Sequence, residues 1–141
     1  MIDVENIVLR TVKERVQAVY PDCYFTTTNP DSVSKSRVVS MTAVDNYTYQ
    51  RSLDDSLYEH HAQIELQFDV YSNNADGKKA EAKELMNLVD EAMQSMKFTR
   101  YYCNPTPNID RSYYRITARY RAIVAEGVEI NGDTVYQIYR R

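Results

Sequence analysis

The sequence feature that most constrains the fold is the alternation of apolar and polar residues over positions 61–71, HAQIELQFDVY. Successive side chains of a β-strand point to opposite faces, so this segment predicts a long strand with one apolar and one polar face. A second segment, positions 113–124, repeats the alternation. Each strand needs a core for its apolar face, and we therefore expect the two to be neighbours in one sheet that covers a common core.

The polar faces of these two predicted strands carry opposite charges. The first holds Glu65 and Asp69, and the second holds Arg115, Arg119 and Arg121. Opposite charges on neighbouring strands are mildly stabilising. We expect the two acids to pair with the arginines, either within one subunit or between two copies of the chain.

Two segments have the three- and four-residue spacing of apolar side chains that is typical of amphipathic helices. The first covers residues 3–20, with Asp3 as the expected N-cap and Pro21 at its end. It is rich in β-branched residues, which are poor formers of isolated helices, so its apolar stripe needs a sheet to pack against. The second helix follows a turn that contains Gly77 and ends near Met96.

The order of the remaining segments indicates the fold class. Further strands are predicted at residues 23–28, 38–44 and 98–103. An Asn131-Gly132 pair between short runs that favour strands is a strong hairpin signal. The chain is therefore expected to form a single α+β domain over residues 1–141, with an antiparallel (mixed) sheet of about four to five strands, two helices packed on one face, and a C-terminal β-hairpin arm over 127–141.

One segment has no place in this scheme and is rich in tyrosine. Residues 45–58, DNYTYQRSLDDSLY, lack both Gly and Pro and are expected to form a long loop or a protruding hairpin. The chain has 13 tyrosines, 3 phenylalanines and no tryptophan, and tyrosine is enriched at protein interfaces. We therefore predict a subunit or partner interface that includes the charged strand residues above and part of this segment. The candidates from the segment are Tyr47, Tyr49, Gln50, Arg51 and Leu53.

The charge distribution argues against a dedicated DNA reader. The net charge is −3, and an acidic protein supplies few of the cations that neutralise phosphates. The total hides an asymmetry, since residues 1–96 have a balance of −7 and residues 97–141 one of +4. These opposite charges could meet within one sheet, or they could join the acidic side of one copy to the basic side of the next.

The sequence carries no catalytic signature, and we predict no catalytic residue, no cofactor and no metal. Only three glycines are present, which excludes a Gly-rich dinucleotide loop and a P-loop. His60 and His61 are adjacent, so on a strand they point to opposite faces and do not share a metal easily. Cys23 and Cys103 lie far apart in sequence and are expected to be free thiols.

Targeting signals are not evident in the sequence. The first ten residues, MIDVENIVLR, have acids where a signal peptide needs positive charge. No run approaches the roughly 20 apolar residues of a membrane span. We expect a protein that does not interact with membranes and is intracellular at synthesis.

The overall pattern resembles the tail terminator (tail completion) family of long-tailed phages. The resemblance lies in the first helix ending at Tyr20-Pro21, the YFTTTNPDSVSKSRVVSM stretch and the NYTYQRSLD segment. It continues through the strand and helix at 61–96 and the YRITARY strand, and so covers most of the chain. It includes no diagnostic catalytic motif.

The resemblance implies a non-enzymatic structural protein of the virion neck or tail, present in the host cytoplasm during assembly. Members form a homo-oligomeric ring, expected to be a hexamer, which caps the tail tube and contacts the tail tube protein and the head-closure or connector protein. DNA passes through the ring without sequence-specific binding. A closed ring needs two different faces of each subunit to meet, and the charge asymmetry supplies candidates for both.

Two other interpretations stay open. The chain could be another neck or head-closure protein of the same virion, or a cellular α+β module that binds nucleic acid or a small ligand. The arginines of the 113–124 strand favour nucleic-acid binding, but alternation puts Tyr114 and Tyr120 on the other face. Only Tyr113 is then left to stack on a base, which weakens that interpretation.

Overall fold

The computed structural model describes residues 2–27, 36–48, 61–107, 112–125, 127–131 and 133–139. Within these ranges the chain forms two helices and eight strands. In chain order they are α1 (Glu5–Gln17), β1 (Tyr24–Thr26), β2 (Arg37–Thr48), β3 (His61–Ser72), α2 (Lys78–Ser95), β4 (Thr99–Pro105), β5 (Tyr114–Ala125), β6 (Val128–Ile130), β7 (Asp133–Val135) and β8 (Ile138–Tyr139).

Six strands form one mixed sheet in the order β1-β2-β3-β5-β4, with β8 also paired to β5. β1 runs parallel to β2, and the other neighbouring strands of this sheet are antiparallel. β3 and β5 pair along their whole lengths, with Leu66 opposite Tyr120 and Phe68 opposite Ala118. The predicted α+β fold and the predicted pairing of the two alternating strands are both confirmed.

The apolar face of the sheet and both helices enclose one core. The apolar stripe of α1 is formed by Val8, Val12 and Val16, all fully buried, and α2 packs against α1 and against β3, β4 and β5. Phe68 and Tyr120 meet edge to face in this core, with ring centroids 5.9 Å apart. Such an aromatic pair contributes about 0.5–1.5 kcal/mol beyond the area it buries.

The first helix is shorter than the sequence indicates. It begins at Glu5, after Val4, and ends at Gln17, so Asp3 is not the N-cap. Asp3 still serves the helix start, because its Oδ1 accepts a hydrogen bond from the Glu5 N–H at 3.0 Å. After Gln17 the chain turns with both the Val19 and the Tyr20 N–H bonded to the carbonyl of Val16.

The second strand is longer than expected. Residues 45–48, predicted to open a loop, instead continue β2. A bulge between Ala43 and Asp45 shifts the register and lets the strand keep pairing with β3 through Thr48. Of the two predicted alternatives, a loop that begins at residue 45 is therefore excluded, whereas a protruding hairpin is compatible with the pairing of residues 45–48 with β3. Residues 49–58 lie outside the described ranges.

The C-terminal segment forms the hairpin that the Asn-Gly pair predicts, and after the hairpin it adds a further strand to the main sheet. β6 and β7 are antiparallel with Ile130 opposite Asp133, and Asn131 at the turn has φ 53°. Asn tolerates this left-handed conformation better than most residues. The chain then returns to the main sheet, where Ile138 of β8 pairs with Val124 of β5. This return was not expected from the sequence.

Candidate functional site

The structure brings together the five charged residues that alternation predicted to share a face. In the β3–β5 register Glu65 lies opposite Arg121, and Asp69 lies four pairs further along, opposite Thr117 and so between the positions of Arg115 and Arg119. We call the face that carries these five residues, on the side of the sheet away from the helices, the polar face.

The tyrosine-rich segment is placed only in part. Tyr47 belongs to β2, where its backbone lies opposite Gln63 of β3, so it is part of the sheet rather than of a loop. Tyr49, Gln50, Arg51 and Leu53 lie outside the described residues. Their role in an interface stays a prediction.

Asp69 is the centre of the polar face. It is fully buried, yet three side chains donate hydrogen bonds to its carboxylate. Arg115 approaches Oδ1 with both Nε and Nη2 at 3.0 Å, Thr117 Oγ1 donates to the same oxygen, and Gln67 Nε2 donates to Oδ2 at 3.0 Å. The pairing of an acid with an arginine is thus present within one subunit. Because hydrogen bonds to a charged group are the stronger kind, this network ties β3 to β5 in one register.

Within one subunit Glu65 contacts a tyrosine rather than an arginine, and its pairing with an arginine of a second copy stays a prediction. Its carboxylate accepts a hydrogen bond from the Tyr101 hydroxyl at 3.3 Å. Burial of Tyr101 and the negative charge of Glu65 raise the pKa of this tyrosine. Arg121 lies directly across from Glu65 in the register, but no ion pair joins the two among the described side chains.

The other two arginines of the polar face stack on tyrosines of β4. The Arg119 guanidinium lies 5.3 Å from the centroid of the Tyr102 ring, and that of Arg121 lies 5.1 Å from the Tyr101 ring. Both tyrosines are more than a third exposed, at 38% for Tyr101 and 39% for Tyr102. Such cation–π contacts are worth about 0.5–1 kcal/mol at exposed sites. We call Arg119, Arg121, Tyr101 and Tyr102 the Arg–Tyr surface.

A bulge in β4 explains how two consecutive tyrosines reach one face. The register between β4 and β5 shifts between Arg100, opposite Tyr120, and Tyr102, opposite Arg119. The extra residue, Tyr101, is left outside the regular alternation and contacts Arg121 on the polar face. Simple alternation would have put Tyr101 and Tyr102 on opposite faces, and so it misses this surface.

The expectation that Tyr113 alone supplies an aromatic ring to the basic face is wrong. Tyr113 is buried at 7% exposure in a small cluster with Val38 and Tyr71. Arg115 lies over the Tyr71 ring, 5.4 Å from its centroid. The exposed rings of the polar face come from β4 instead, because the sheet order places that strand beside β5.

A second ionic cluster lies at the start of α2 and has a structural role. Glu81 is buried, and its carboxylate accepts hydrogen bonds from Ser72 Oγ at 2.9 Å and Asn74 Nδ2 at 2.8 Å. Arg37 forms ion pairs with Glu81 and with Asp22. Burial acts to lower the pKa of Arg37, but the two carboxylates outweigh it and raise that pKa. The cluster joins the first turn of α2 to the β2–β3 pair.

The other groups considered from the sequence do not converge on one site. Cys23 is buried, and burial together with the charge of Asp22 raises the pKa of its thiol to about 12, whereas Cys103 lies exposed in β4. The described ranges contain no group of three or more His, Cys, Asp or Glu side chains arranged to hold a metal ion. His60 lies outside those ranges. No helix in the described part of the chain is long and apolar enough to span a membrane.

Comparison with known proteins does not extend this picture. No model of a known protein family matches the chain, and no curated protein matches it. The resemblance to phage tail terminators therefore rests on the sequence pattern alone.

Proposed function

We propose that this protein is a structural subunit that assembles with copies of itself into a ring, as tail terminators of long-tailed phages do. In that role it caps the tail tube and joins it to the connector on the head side. The proposal rests on the resemblance in sequence pattern, and the α+β fold with two helices on one sheet face is compatible with it.

The observation that carries an assembly role is the Arg–Tyr surface. Arginine and tyrosine are the residue types enriched at the energetic centres of protein interfaces. In this chain the guanidinium groups of Arg119 and Arg121 already stack on exposed rings. Ordered side chains lose less conformational freedom when a partner binds, and so such a surface binds at a smaller entropic penalty.

The balance of charge is compatible with a ring around DNA. A lumen through which DNA slides should not hold phosphates strongly, and the chain as a whole is acidic. DNA would pass without sequence-specific contacts. The hexameric ring, the tail tube protein and the head-closure protein as partners, and a place in the virion neck all belong to the same proposal.

The test is to locate the chain in assembled particles. Virions that carry a tagged copy are labelled with gold and imaged in negative stain, with untagged virions as the control. The proposal predicts label at the neck, where head and tail meet. Label on the capsid surface, along the tail or at its distal end, or no label on particles at all, would refute it.

A second function has one observation in its favour. Tyr101 and Tyr102 are exposed beside two arginines, which is the composition of a platform that stacks single-stranded bases. A cellular nucleic-acid-binding module would bind an oligonucleotide tightly at low salt and lose it with Arg119→Gln and Arg121→Gln. A filter-binding assay separates this function from the structural one, because the ring subunit should bind no oligonucleotide in this way.

A further inference from the structure

A small pocket lies on the helix side of the sheet, where the start of α1 meets β2 and β3. It has a volume of about 210 Å³. Its apolar wall is formed by Val4, Ile64 and Leu66, and its rim carries the acidic residues Asp3 and Glu5 at the start of α1. Asp45 borders the pocket, but it lies opposite Glu65 in the register and so points to the polar face. We call it the acidic-rimmed pocket. A cavity of about 150 Å³ is large enough to hold a benzene ring, so this one has room for a tyrosine ring or a guanidinium group.

The rim is negative, and the described residues that line the pocket include no cation. Among the described residues, no ion pair involves Asp3 or Glu5. Asp3 is exposed, and one oxygen of its carboxylate accepts the backbone N–H of Glu5. An apolar wall beneath an acidic rim suits a side chain with an apolar body and a cationic or hydroxyl end, such as arginine or tyrosine.

The same chain presents such side chains on the Arg–Tyr surface. Arg119 has a neutral hydrogen-bond partner, Gln67, at 3.1 Å, and Arg121 stacks on Tyr101. In the part of the chain that the structure describes, neither arginine forms an ion pair. The surface therefore has two cations and exposed aromatic rings, beside one carboxylate, Glu65, that is bonded to Tyr101, whereas the pocket has negative charge and an apolar wall.

The sheet keeps these two features apart within one molecule. In the order β1-β2-β3-β5-β4 the pocket lies beside β2, and the Arg–Tyr surface lies on β4 and β5. The pocket is on the helix side, and the Arg–Tyr surface is on the polar face. The two cannot meet within one subunit, but they can meet between two subunits. Contact between two different patches of identical chains is heterologous, and it forms a ring when the rotation between copies closes and an open filament when it does not.

We infer that the acidic-rimmed pocket of one copy receives the Arg–Tyr surface of the next copy. The inference rests on the proposed function for the closure of the ring, and it names the two surfaces through which the subunits join. Asp3 and Arg121 are the charged residues expected to face each other across the interface. Because the attraction is between opposite charges, assembly should weaken as salt rises.

The test is a charge-reversal experiment followed by sedimentation velocity over a range of protein concentrations. Wild type should self-associate at low ionic strength and dissociate in high salt. Asp3→Lys alone and Arg121→Glu alone should each weaken self-association more than about tenfold, because like charges then face each other. An equimolar mixture of the two variants should assemble again, since pockets of one variant then meet surfaces of opposite charge on the other.

Controls separate the proposed contact from a general effect of charge or stability. Glu14→Lys and Lys83→Glu change the net charge by the same amounts on exposed positions of α1 and α2, and should assemble as wild type. Thermal melting followed by circular dichroism establishes that each variant is folded. If Arg121→Glu does not fold, Arg119→Gln with Arg121→Gln takes its place and should also weaken assembly.

Three results would overturn the inference. Wild type could stay monomeric at every concentration, or either reversal could leave association unchanged. Alternatively, wild type could bind a single-stranded oligonucleotide, and Arg121→Glu could abolish this binding while self-association of the protein stays the same. That result would assign the Arg–Tyr surface to nucleic acid. The virion-labelling experiment is independent of all three results. If label lies at the neck but the charge reversals leave self-association unchanged, only this interface is refuted. If self-association depends on these charges but no label lies at the neck, only the proposed function is refuted.

Discussion

Replacing Asp69 by Asn removes the charge at the centre of the polar face while keeping the shape of the side chain. Asp69 is fully buried and accepts hydrogen bonds from Arg115, Thr117 and Gln67. Hydrogen bonds to a charged group contribute about 1.5–3 kcal/mol, against about 0.5–1.5 kcal/mol for neutral pairs. Weakening three of them by about 1 kcal/mol each lowers the free energy of unfolding by about 3 kcal/mol.

This loss should be plain in thermal and chemical denaturation. For 141 residues the unfolding entropy is about 0.3 kcal/mol/K, so a loss of about 3 kcal/mol lowers Tm by about 10 °C. Urea denaturation followed by circular dichroism gives the free-energy change directly. The double variant Asp69→Asn with Arg115→Gln closes a thermodynamic cycle, and the two substitutions should be coupled by at least about 1 kcal/mol.

An exposed ion pair supplies the matched control. Arg15 and Glu91 join α1 to α2, with side chains 49% and 56% exposed. Exposed pairs contribute about 0–1 kcal/mol, so Glu91→Gln should change stability by less than about 1 kcal/mol. If Asp69→Asn proves as mild as Glu91→Gln, the hydrogen-bond network around Asp69 does not hold β3 to β5, and its stabilising role in the polar face is refuted.

The remaining predictions concern buried polar groups. In the native protein a thiol reagent should modify exposed Cys103 quickly and buried Cys23 only on unfolding, as peptide mapping would show; equal rates would contradict the burial. Burial raises the pKa of Cys23 from 9.0 to about 12, and burial with a hydrogen bond to Glu84 raises that of Tyr20 from 10.0 to about 12. The unfolded chain therefore loses these protons first, and urea denaturation should show stability that is full below about pH 9 and falls as pH rises towards 12. Tyr120→Phe removes the hydroxyl that donates to Asp90 at 2.8 Å and should lower the free energy of unfolding by about 1 kcal/mol, with no change expected for an exposed control, Tyr139→Phe.

The fold was accessible from the sequence because its main signals are local. Alternation over 61–71 and 113–124 is a property of the backbone repeat of a strand, and it correctly predicts β3 and β5 as neighbours. The three- and four-residue spacing predicts both helices in the same way. The Asn131-Gly132 pair predicts the β6–β7 turn, since so few residues adopt the required backbone angles.

The candidate site was accessible only in part. The alternation of polar residues along β3 and β5 correctly places Glu65, Asp69 and the three arginines on one face. It does not show that Asp69 is buried, or that Glu65 accepts its hydrogen bond from Tyr101 rather than pairing with an arginine. Those outcomes depend on side chains that lie more than 30 residues away in sequence, and the periodicity of one strand carries no information about them. The function predicted from the resemblance in pattern stays a prediction.

By itself, then, the sequence determined the two helices, the long strands β3 and β5, and the face on which the charged residues of these two strands lie, because those follow from the geometry of a single segment. Only the tertiary structure decided which strands flank that face. The bulge at Tyr101 and the place of β4 beside β5 turn two of the three arginines on β5 into a surface of stacked arginine and tyrosine side chains. A bulge is stabilised by the partner strand across the ladder, and it therefore leaves no mark on the sequence of the strand that contains it.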